Sequence, residues 1–221
     1  MAPDSIAPVT SSPSPPSPPS PPSPWVLRWS GLAAPGGTLL DVACGGGRHL
    51  RWFHARGHRV TGVDRSAEAL GTLAALARDG AELVEADIEA GPWPFAGRTF
   101  DIVVVTHYLW RPRLSDIVAA VAPGGVLVYE TFAAGNEAFG RPTRPDFLLR
   151  PGELLEACRD LHVVAYEHGF LEAPARVVQR IAAIRPRAGD ASGHVPRETP
   201  ALLQTLSSEA VSPRMPSGGA R

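Results

Sequence analysis

An acid followed by glycines stands at the end of an apolar stretch, in the sequence LLDVACGGGRH from Leu39 to His49. Glycines after a buried strand let a ligand approach the backbone, and they let the next helix point its N-terminus at that ligand. A pyrophosphate is one such ligand, but the carboxylate of Asp41 would repel it. Leu50 also stands where the dinucleotide-binding pattern requires its third glycine. The loop therefore predicts a site for a positively charged molecule.

Strand-like and helix-like segments alternate around this loop. Predicted strands cover residues 38–43, 59–64, 81–88, 100–108, 126–132, 162–169 and 176–184. Predicted helices follow the first strand from Arg48, cover residues 66–78 and 114–121, and begin again at Pro151. This alternation is typical of an α/β fold with a doubly wound, mostly parallel seven-stranded sheet of the Rossmann-like kind. The last two strands have a connection too short for a parallel crossover, so they should form an antiparallel hairpin.

The two ends of the chain have a different composition from its middle. Residues 1–24 are rich in Pro and Ser and predict a disordered head with polyproline II character, acting as a spacer, as a ligand of other proteins, or dispensable. Residues 185–221 predict a disordered tail. The working domain is expected over residues 25–184.

A sheet of this kind binds its ligand at the carboxyl ends of its strands. Four segments should therefore meet on one rim: Asp41–Gly47, Asp64, Asp87 and Thr106–Arg111. Asp64 follows Asp41 by 23 residues, close to the distance expected of an acid that holds ribose hydroxyls. Each acid, taken singly, could instead be a solvated strand end or a helix cap.

Five ordered segments carry a resemblance to a known family: LDVACGGGRHL, VTGVDRS, VEADIE, FDIVVVTHYLWRP and APGGVLVYETF. Together they resemble the class I S-adenosylmethionine-dependent methyltransferase superfamily, and more loosely its tellurite-resistance and thiopurine-type members. The resemblance implies S-adenosyl-L-methionine as the cofactor, whose sulfonium and ammonium groups suit Asp41. It implies ribose binding by Asp64, adenine binding by Asp87, and contact of Ile88 with the adenine ring. Ala43 departs from the family pattern, which often has glycine there. The expected cofactor-binding residues are Asp41, Ala43, Cys44, Gly45, Gly47, Asp64, Arg65, Asp87, Ile88 and Thr106.

The stretch after the fourth strand, THYLWRP, is where such enzymes hold the acceptor. His107 is the candidate general base, because its ordinary pKa lies near neutrality, and Tyr108 is the second candidate catalytic residue. A histidine bonded to the backbone and a tyrosine covering the sheet edge are the alternatives. Arg111 is expected either to hold an anionic substrate or to be solvated.

The connection after the fifth strand is long, with about 18 residues between Phe132 and Pro151. It combines charged residues with Phe139 and Phe147, which predicts a lid over the acceptor. Glu130, Glu137 and Arg141 are candidate substrate contacts, and a salt-bridged surface loop is the alternative.

Composition narrows the class of partner. The formal net charge is −1, and residues 25–184 hold 16 arginines against 18 acidic residues, which argues against nucleic acid. Two cysteines make no disulfide framework, no apolar run is long enough to span a membrane, and no metal site is expected. We expect a cytoplasmic methyltransferase with a small-molecule acceptor. The alternatives are an RNA- or protein-modifying methyltransferase and a non-catalytic S-adenosylmethionine-binding interaction protein.

Overall fold

The computed structural model describes residues 20–189, and those up to Arg185 belong to one compact unit. Residues 1–19 of the predicted head, and the tail from residue 190 onward, lie outside the described residues. The domain begins slightly before the predicted boundary at Trp25. Ser23 is 3% exposed, and its hydroxyl accepts a hydrogen bond from the Trp25 backbone N–H at the start of the first helix. A capping serine followed by proline is a favourable start for a helix.

Seven strands form one sheet in the order β3-β2-β1-β4-β5-β7-β6. The pairs among β1 to β5 are parallel, whereas β7 is antiparallel to both β5 and β6. This confirms the predicted mostly parallel, doubly wound sheet with its antiparallel hairpin. The strands are β1 Thr38–Val42, β2 Arg59–Asp64, β3 Glu82–Glu85, β4 Phe100–Thr106, β5 Val121–Phe132, β6 His162–Glu172 and β7 Ala175–Ile184.

Strands β1 and β4, in the middle of the sheet, are buried on both faces. Val42 and Val103 belong to one apolar cluster, whereas Leu39 and Ile102 belong to the other, and all four are fully buried. Alternate side chains of a strand point to opposite faces, so a strand covered by helices on both sides must be apolar throughout. Asp41, 1% exposed, interrupts this pattern one residue before β1 ends.

Short helices cover the sheet. Their bounds are α1 Pro24–Trp29, α2 Arg48–His54, α3 Ala67–Gly71, α4 Ala74–Arg78, α5 Leu114–Ala119 and α6 Glu153–Ala157.

Two helices differ from their predictions. The single helix predicted over residues 66–78 is broken between α3 and α4. Gly71 lowers helix propensity there, and the Thr72 hydroxyl donates to the Ala69 carbonyl at 2.7 Å. Helix α6 begins at Glu153 and not at Pro151, because Gly152 at its N-cap has a φ of 76°.

The carboxyl ends of β1, β2 and β4 lie on one edge of the sheet, because these strands are parallel neighbours. Asp41, Asp64 and Thr106 therefore come to the same rim, together with Asp87 just beyond β3. Among residues 20–189, no helix is long and apolar enough to cross a membrane.

Candidate active site

The glycine loop, residues 43–47, has three residues in the left-handed region. Ala43, Gly45 and Gly47 have φ values of 54°, 51° and 66°. A Cβ added at Gly47 would lie 2.7 Å from the Leu73 side chain, so packing against the protein itself requires glycine there. A Cβ added at Gly45 would meet no protein atom within 4 Å. The backbone at Gly45 therefore borders open space.

Asp64 links the end of β2 to this loop. One of its carboxylate oxygens accepts the Gly45 N–H at 2.8 Å, and the other accepts the Ser66 N–H at 2.9 Å. Each carboxylate oxygen has two lone-pair directions, so both can still accept a bond from a ligand hydroxyl. Asp64 thus shapes the loop and keeps acceptor capacity facing the rim.

Asp87 also holds a backbone turn. Its Oδ1 accepts the N–H groups of Ala90 at 3.1 Å and Glu89 at 2.9 Å. These two bonds, that from Ala90 foremost, lower the pKa of Asp87 and keep it a carboxylate. The adjacent Ile88 is 5% exposed.

A first cavity of about 140 Å³ joins these residues. It is lined by Ala43, Asp64, Arg65, Ala86, Asp87, Ile88, Glu89 and Tyr108. Five of the predicted cofactor-binding residues therefore meet in one place.

A second cavity of about 590 Å³ lies on the other side of Ala43, over the glycine loop. It is lined by Ser20, Ala43, Cys44, Gly45, Gly46, Gly47, Arg48, His49, Arg51, Thr72 and Thr106. The Thr106 hydroxyl accepts a bond from Arg48 at 3.3 Å. Burial is the main reason why the pKa of the Cys44 thiol is raised, so Cys44 remains a neutral wall residue. Ala43 belongs to both cavities, which makes them neighbours along the rim.

Asp41 is predicted to contact a ligand, but its side chain is buried beneath the glycine loop. Its side chain is 2% exposed, and its Oδ2 accepts no hydrogen bond among the described residues. The Nδ1 atom of His49, equally buried, lies 3.5 Å from that oxygen. His49 Nε2 accepts the Ser23 backbone N–H at 3.2 Å, so a neutral ring carries its proton on Nδ1, toward Asp41. Asp41 is therefore placed to influence a cation at the loop only through its electric field and through His49, which the sequence did not single out.

His107 stands directly after β4 in a strained position. Its φ is 56°, which few residues other than glycine adopt, and its ring stacks on Phe132 at 5.2 Å. Partial burial, followed by the nearby cation of Arg48, lowers the pKa of His107 below its ordinary value. Glu130 opposes this shift more weakly. The His107 ring is therefore neutral at pH 7, which is the form that a general base requires.

A third cavity of about 410 Å³ opens beside His107. It is lined by Arg48, His107, Phe132, Asn136, Phe139, Gly140, Arg141, Pro174, Ala175 and Arg176. Arg48 borders both this cavity and the second one, so the three cavities follow one another along the rim. Of the predicted acceptor residues, His107 and Arg141 meet here. Arg48 and Arg176 were not predicted, because their neighbours come from distant parts of the chain.

Tyr108 lies with the predicted cofactor-binding residues and not with His107. It lines the first cavity, beside Asp64 and Asp87. Its hydroxyl is buried without a partner among the described residues, and burial strongly raises its pKa. A phenol in this state is a poor proton acceptor, so its position argues against the predicted catalytic role.

Two predicted substrate contacts are occupied by the protein itself. Arg111 donates to both carboxylate oxygens of Glu153, at 2.6 and 2.9 Å, and to the carbonyls of Asp146 and Leu148. It does not line the third cavity. Its guanidinium ties the connection after β5 to α6, in place of the predicted hold on a substrate.

Glu130 is likewise structural. Its side chain is 2% exposed, and it accepts the Ser23 hydroxyl at 2.9 Å and Arg180 at 3.2 Å. Arg180 in turn pairs with Glu167 and lies over the Trp25 ring at 4.7 Å. This network fastens the start of the domain to β5 and β7, and it leaves the buried Glu130 no open contact with an acceptor.

The predicted lid, residues 133–150, is partly fixed at the third cavity. Asn136, 1% exposed, accepts the Val177 N–H at 3.1 Å and donates to the Pro142 carbonyl at 3.2 Å. Glu137 accepts the Gly135 N–H at 2.8 Å and does not line the cavity, so this geometry does not support its predicted contact. Arg141 does line the cavity.

S-adenosylmethionine suits the first two cavities on three observations. The two carboxylates beside the first cavity have free acceptor capacity, the loop at Gly45 leaves open space, and a buried acid lies beneath the loop. These are the features needed for a ribose, a flat purine ring and a cationic amino-acid end. Within residues 20–189, no three His, Cys, Asp or Glu side chains are grouped as metal ligands.

Known proteins match the central part of the chain. A family model described as "Methyltransferase domain" matches residues 39–125. The malonyl-(acyl-carrier protein) O-methyltransferase of Serratia marcescens is 34% identical over 109 residues, which are 48% of this chain and 42% of that protein. The ubiquinone biosynthesis O-methyltransferase of Aromatoleum aromaticum is 34% identical over 123 residues, 52% of this chain and 51% of that protein. The chain thus spans about half the length, or less, of these curated relatives.

A solved structure supports the fold over a longer stretch. TehB from Haemophilus influenzae superposes with a TM-score of 0.60 at 20% identity, over 72% of this chain and 61% of that chain. At this identity the likeness concerns the fold alone. The family match assigns residues 39–125 to a methyltransferase domain, and this stretch includes the strands that bring Asp41, Asp64 and Asp87 to the rim.

Proposed function

We propose that this protein is an S-adenosylmethionine-dependent methyltransferase whose acceptor is a small molecule. The proposal rests on one observation, which is that three cavities adjoin one another between Asp87 and Arg141. Ala43 lines the first and the second cavity, and Arg48 lines the second and the third. Two of them have the chemistry for the cofactor, and the third lies next to a neutral histidine. A methyl donor and an acceptor would thus be held side by side.

Each of the proposed cofactor-binding residues holds a different part of the cofactor. Asp64 accepts hydrogen bonds from the ribose hydroxyls. Asp87 holds the adenine base by a hydrogen bond, and Ile88 holds it by apolar contact. Gly45 lets the amino-acid end approach the backbone, and the buried charge of Asp41 favours its ammonium group. When bound, the cofactor supplies an electrophilic methyl group on a positively charged sulfur.

The residues of the third cavity mainly position the acceptor. Correct alignment of two reactants contributes up to about 7–11 kcal/mol to lowering a barrier. His107 accepts the proton that an acceptor hydroxyl or amine loses, a step that contributes about 10²–10⁴-fold to rate. Its strained backbone and its stacking on Phe132 hold the ring at the junction of β4 with the cavity.

An oxygen acceptor is favoured by the names of the relatives. Both curated relatives described above are O-methyltransferases by name. The deprotonation that oxygen methylation of a hydroxyl requires is the step that a neutral His107 performs.

Two alternatives have less support. Modification of RNA or protein would call for a basic surface, whereas residues 25–184 hold 16 arginines against 18 acidic residues. A non-catalytic cofactor-binding protein would have no use for a neutral base beside an open third cavity.

The test is an untargeted labelling experiment. The full chain is incubated with methyl-labelled S-adenosylmethionine and with cell extract separated into RNA, protein and small-molecule fractions. We expect label in the small-molecule fraction. Label confined to RNA or protein would overturn the acceptor class. Binding of S-adenosylhomocysteine without any transfer would favour the non-catalytic protein.

A further inference from the structure

The third cavity is unusually rich in positive charge. Three arginines line it, Arg48, Arg141 and Arg176, and His107 stands beside them. No acidic residue of the described chain is in its lining. The carboxylate that acts on His107 is that of Glu130, which is buried and already bonded to Ser23 and Arg180.

These three guanidinium groups have no carboxylate partner among residues 20–189. Arg48 donates to the Thr106 hydroxyl, and Arg176 donates to the Pro174 carbonyl at 3.1 Å. The Nε of Arg176 is buried and has no hydrogen-bond partner in the described part of the chain. Arg141 makes neither a hydrogen bond nor an ion pair with any described residue. A buried donor without a partner is costly, so a ligand that satisfies it is favoured.

Many arginines elsewhere in the domain form ion pairs with carboxylates. Arg111 is paired with Glu153 at 2.6 Å, and Arg180 is paired with both Glu130 and Glu167. The arginines of the third cavity instead line one open space that has no carboxylate in its lining. Like charges without a counter-ion repel, and this repulsion is relieved when an anion binds between them.

The same cavity has an apolar side. Phe132 and Pro174 line it, and Phe139 reaches its edge. Phe139 is 49% exposed and contacts Phe170, itself 50% exposed, with ring centroids 4.7 Å apart. Aromatic rings left half open beside a polar site are typical of surfaces that receive an apolar group.

We infer that the acceptor is an organic anion, with a carboxylate or phosphate group held by Arg48, Arg141 and Arg176 and an apolar body lying against Phe132 and Phe139. Arginine forks bind such groups with two parallel hydrogen bonds, more strongly than they bind neutral groups. This inference rests on the proposed function, because it names the substrate class of the same site.

The first test sorts acceptors by charge before the reaction. Small molecules of a cell extract are separated on an anion exchanger at pH 7, and each fraction is incubated with the full chain and labelled S-adenosylmethionine. Transfer to the retained, anionic fraction supports the inference. Transfer confined to the unretained fraction overturns it and leaves the methyltransferase function standing. Absence of transfer everywhere overturns both, and calorimetry with S-adenosylhomocysteine then shows whether the cofactor site itself fails.

The second test uses matched arginine variants and defined probes. Arg141→Gln and Arg176→Gln remove cavity cations, whereas Arg144→Gln removes an exposed arginine of the same connection that pairs with Asp146 outside the cavity. Benzoate, phenyl phosphate and neutral benzyl alcohol are titrated into the chain saturated with S-adenosylhomocysteine. Whether benzoate or phenyl phosphate binds more tightly identifies the acidic group.

We expect the unchanged protein to bind at least one of the two anions. Each cavity variant should bind that anion about tenfold to a hundredfold more weakly, as for the loss of a charged hydrogen bond. Arg144→Gln should bind that anion as the unchanged protein does, and all variants should bind S-adenosylhomocysteine within about twofold. Equal binding of anions and benzyl alcohol, or equal loss in Arg144→Gln, would overturn the inference. Arg141 is exposed, so its variant remains folded and informative even if Arg176→Gln is unstable.

Discussion

Replacing Gly45 by alanine probes the contact between the cofactor and the loop. Gly45 has a φ of 51°, so alanine costs about 1–2 kcal/mol of strain. Loss of flexibility in the unfolded chain offsets about 0.4–1 kcal/mol of this. The net loss of about 1 kcal/mol corresponds to a fall in Tm of about 2–4 °C. The added methyl meets no protein atom within 4 Å, so any further effect must arise from the ligand.

We expect Gly45→Ala to weaken S-adenosylhomocysteine binding by about 1–3 kcal/mol, roughly 5- to 150-fold, because the methyl overlaps the cofactor. A control outside the cavities separates strain from overlap. Gly80 has a φ of 96° and open space around it, so Gly80→Ala should lower Tm similarly without changing affinity. Calorimetry measures the affinity, and an unchanged Kd in Gly45→Ala would refute cofactor binding against the loop.

Three further substitutions test separate residues. Asp64→Asn should weaken S-adenosylhomocysteine binding about tenfold and also lower Tm. The reason is that an amide cannot accept both of the backbone N–H hydrogen bonds that the carboxylate accepts. Unchanged affinity in calorimetry would place the ribose elsewhere. His107→Asn, which tolerates the positive φ, should slow turnover about 10²–10⁴-fold at unchanged cofactor affinity, and equal turnover would exclude a base. Because the pKa of His107 is lowered from 6.5, the unchanged enzyme should lose rate only as pH falls below that value; loss beginning well above it contradicts this reasoning. Glu130→Gln should destabilise the fold by about 3 kcal/mol, because it breaks the buried ion pair with Arg180, and it should leave the KM for the acceptor unchanged. A raised KM in a variant of full stability would show that Glu130 contacts the substrate.

The fold could be predicted because it depends on patterns that are local in sequence. Apolar runs such as 38–43 indicate strands buried on both faces, and the glycines after them indicate a turn toward a ligand. The parallel arrangement then brings Asp64 and Asp87 to the rim without any knowledge of packing. Ala43, which departs from the family pattern, keeps the left-handed conformation that glycine would adopt there.

The third cavity could not be predicted in the same way, because its contacts join distant segments. Arg176 reaches the third cavity from β7, and nothing near it in sequence distinguishes it from a solvated arginine. Arg111 and Glu130 are charged residues beside the expected site, yet each is bonded within the protein, Glu130 to a serine 107 residues away. The sequence reveals which residues are charged, whereas the structure reveals which of those charges already have a partner.

The central claim is that an S-adenosyl nucleoside lies across the glycine loop with its base beside Asp87. The most direct measurement is a crystal structure of the full chain grown with S-adenosylhomocysteine. The account predicts density for the ribose hydroxyls at Asp64, for the adenine against Ile88, and for the amino-acid end over Gly45. A well-ordered crystal with this rim empty, or with the nucleoside bound elsewhere on the molecule, would contradict it.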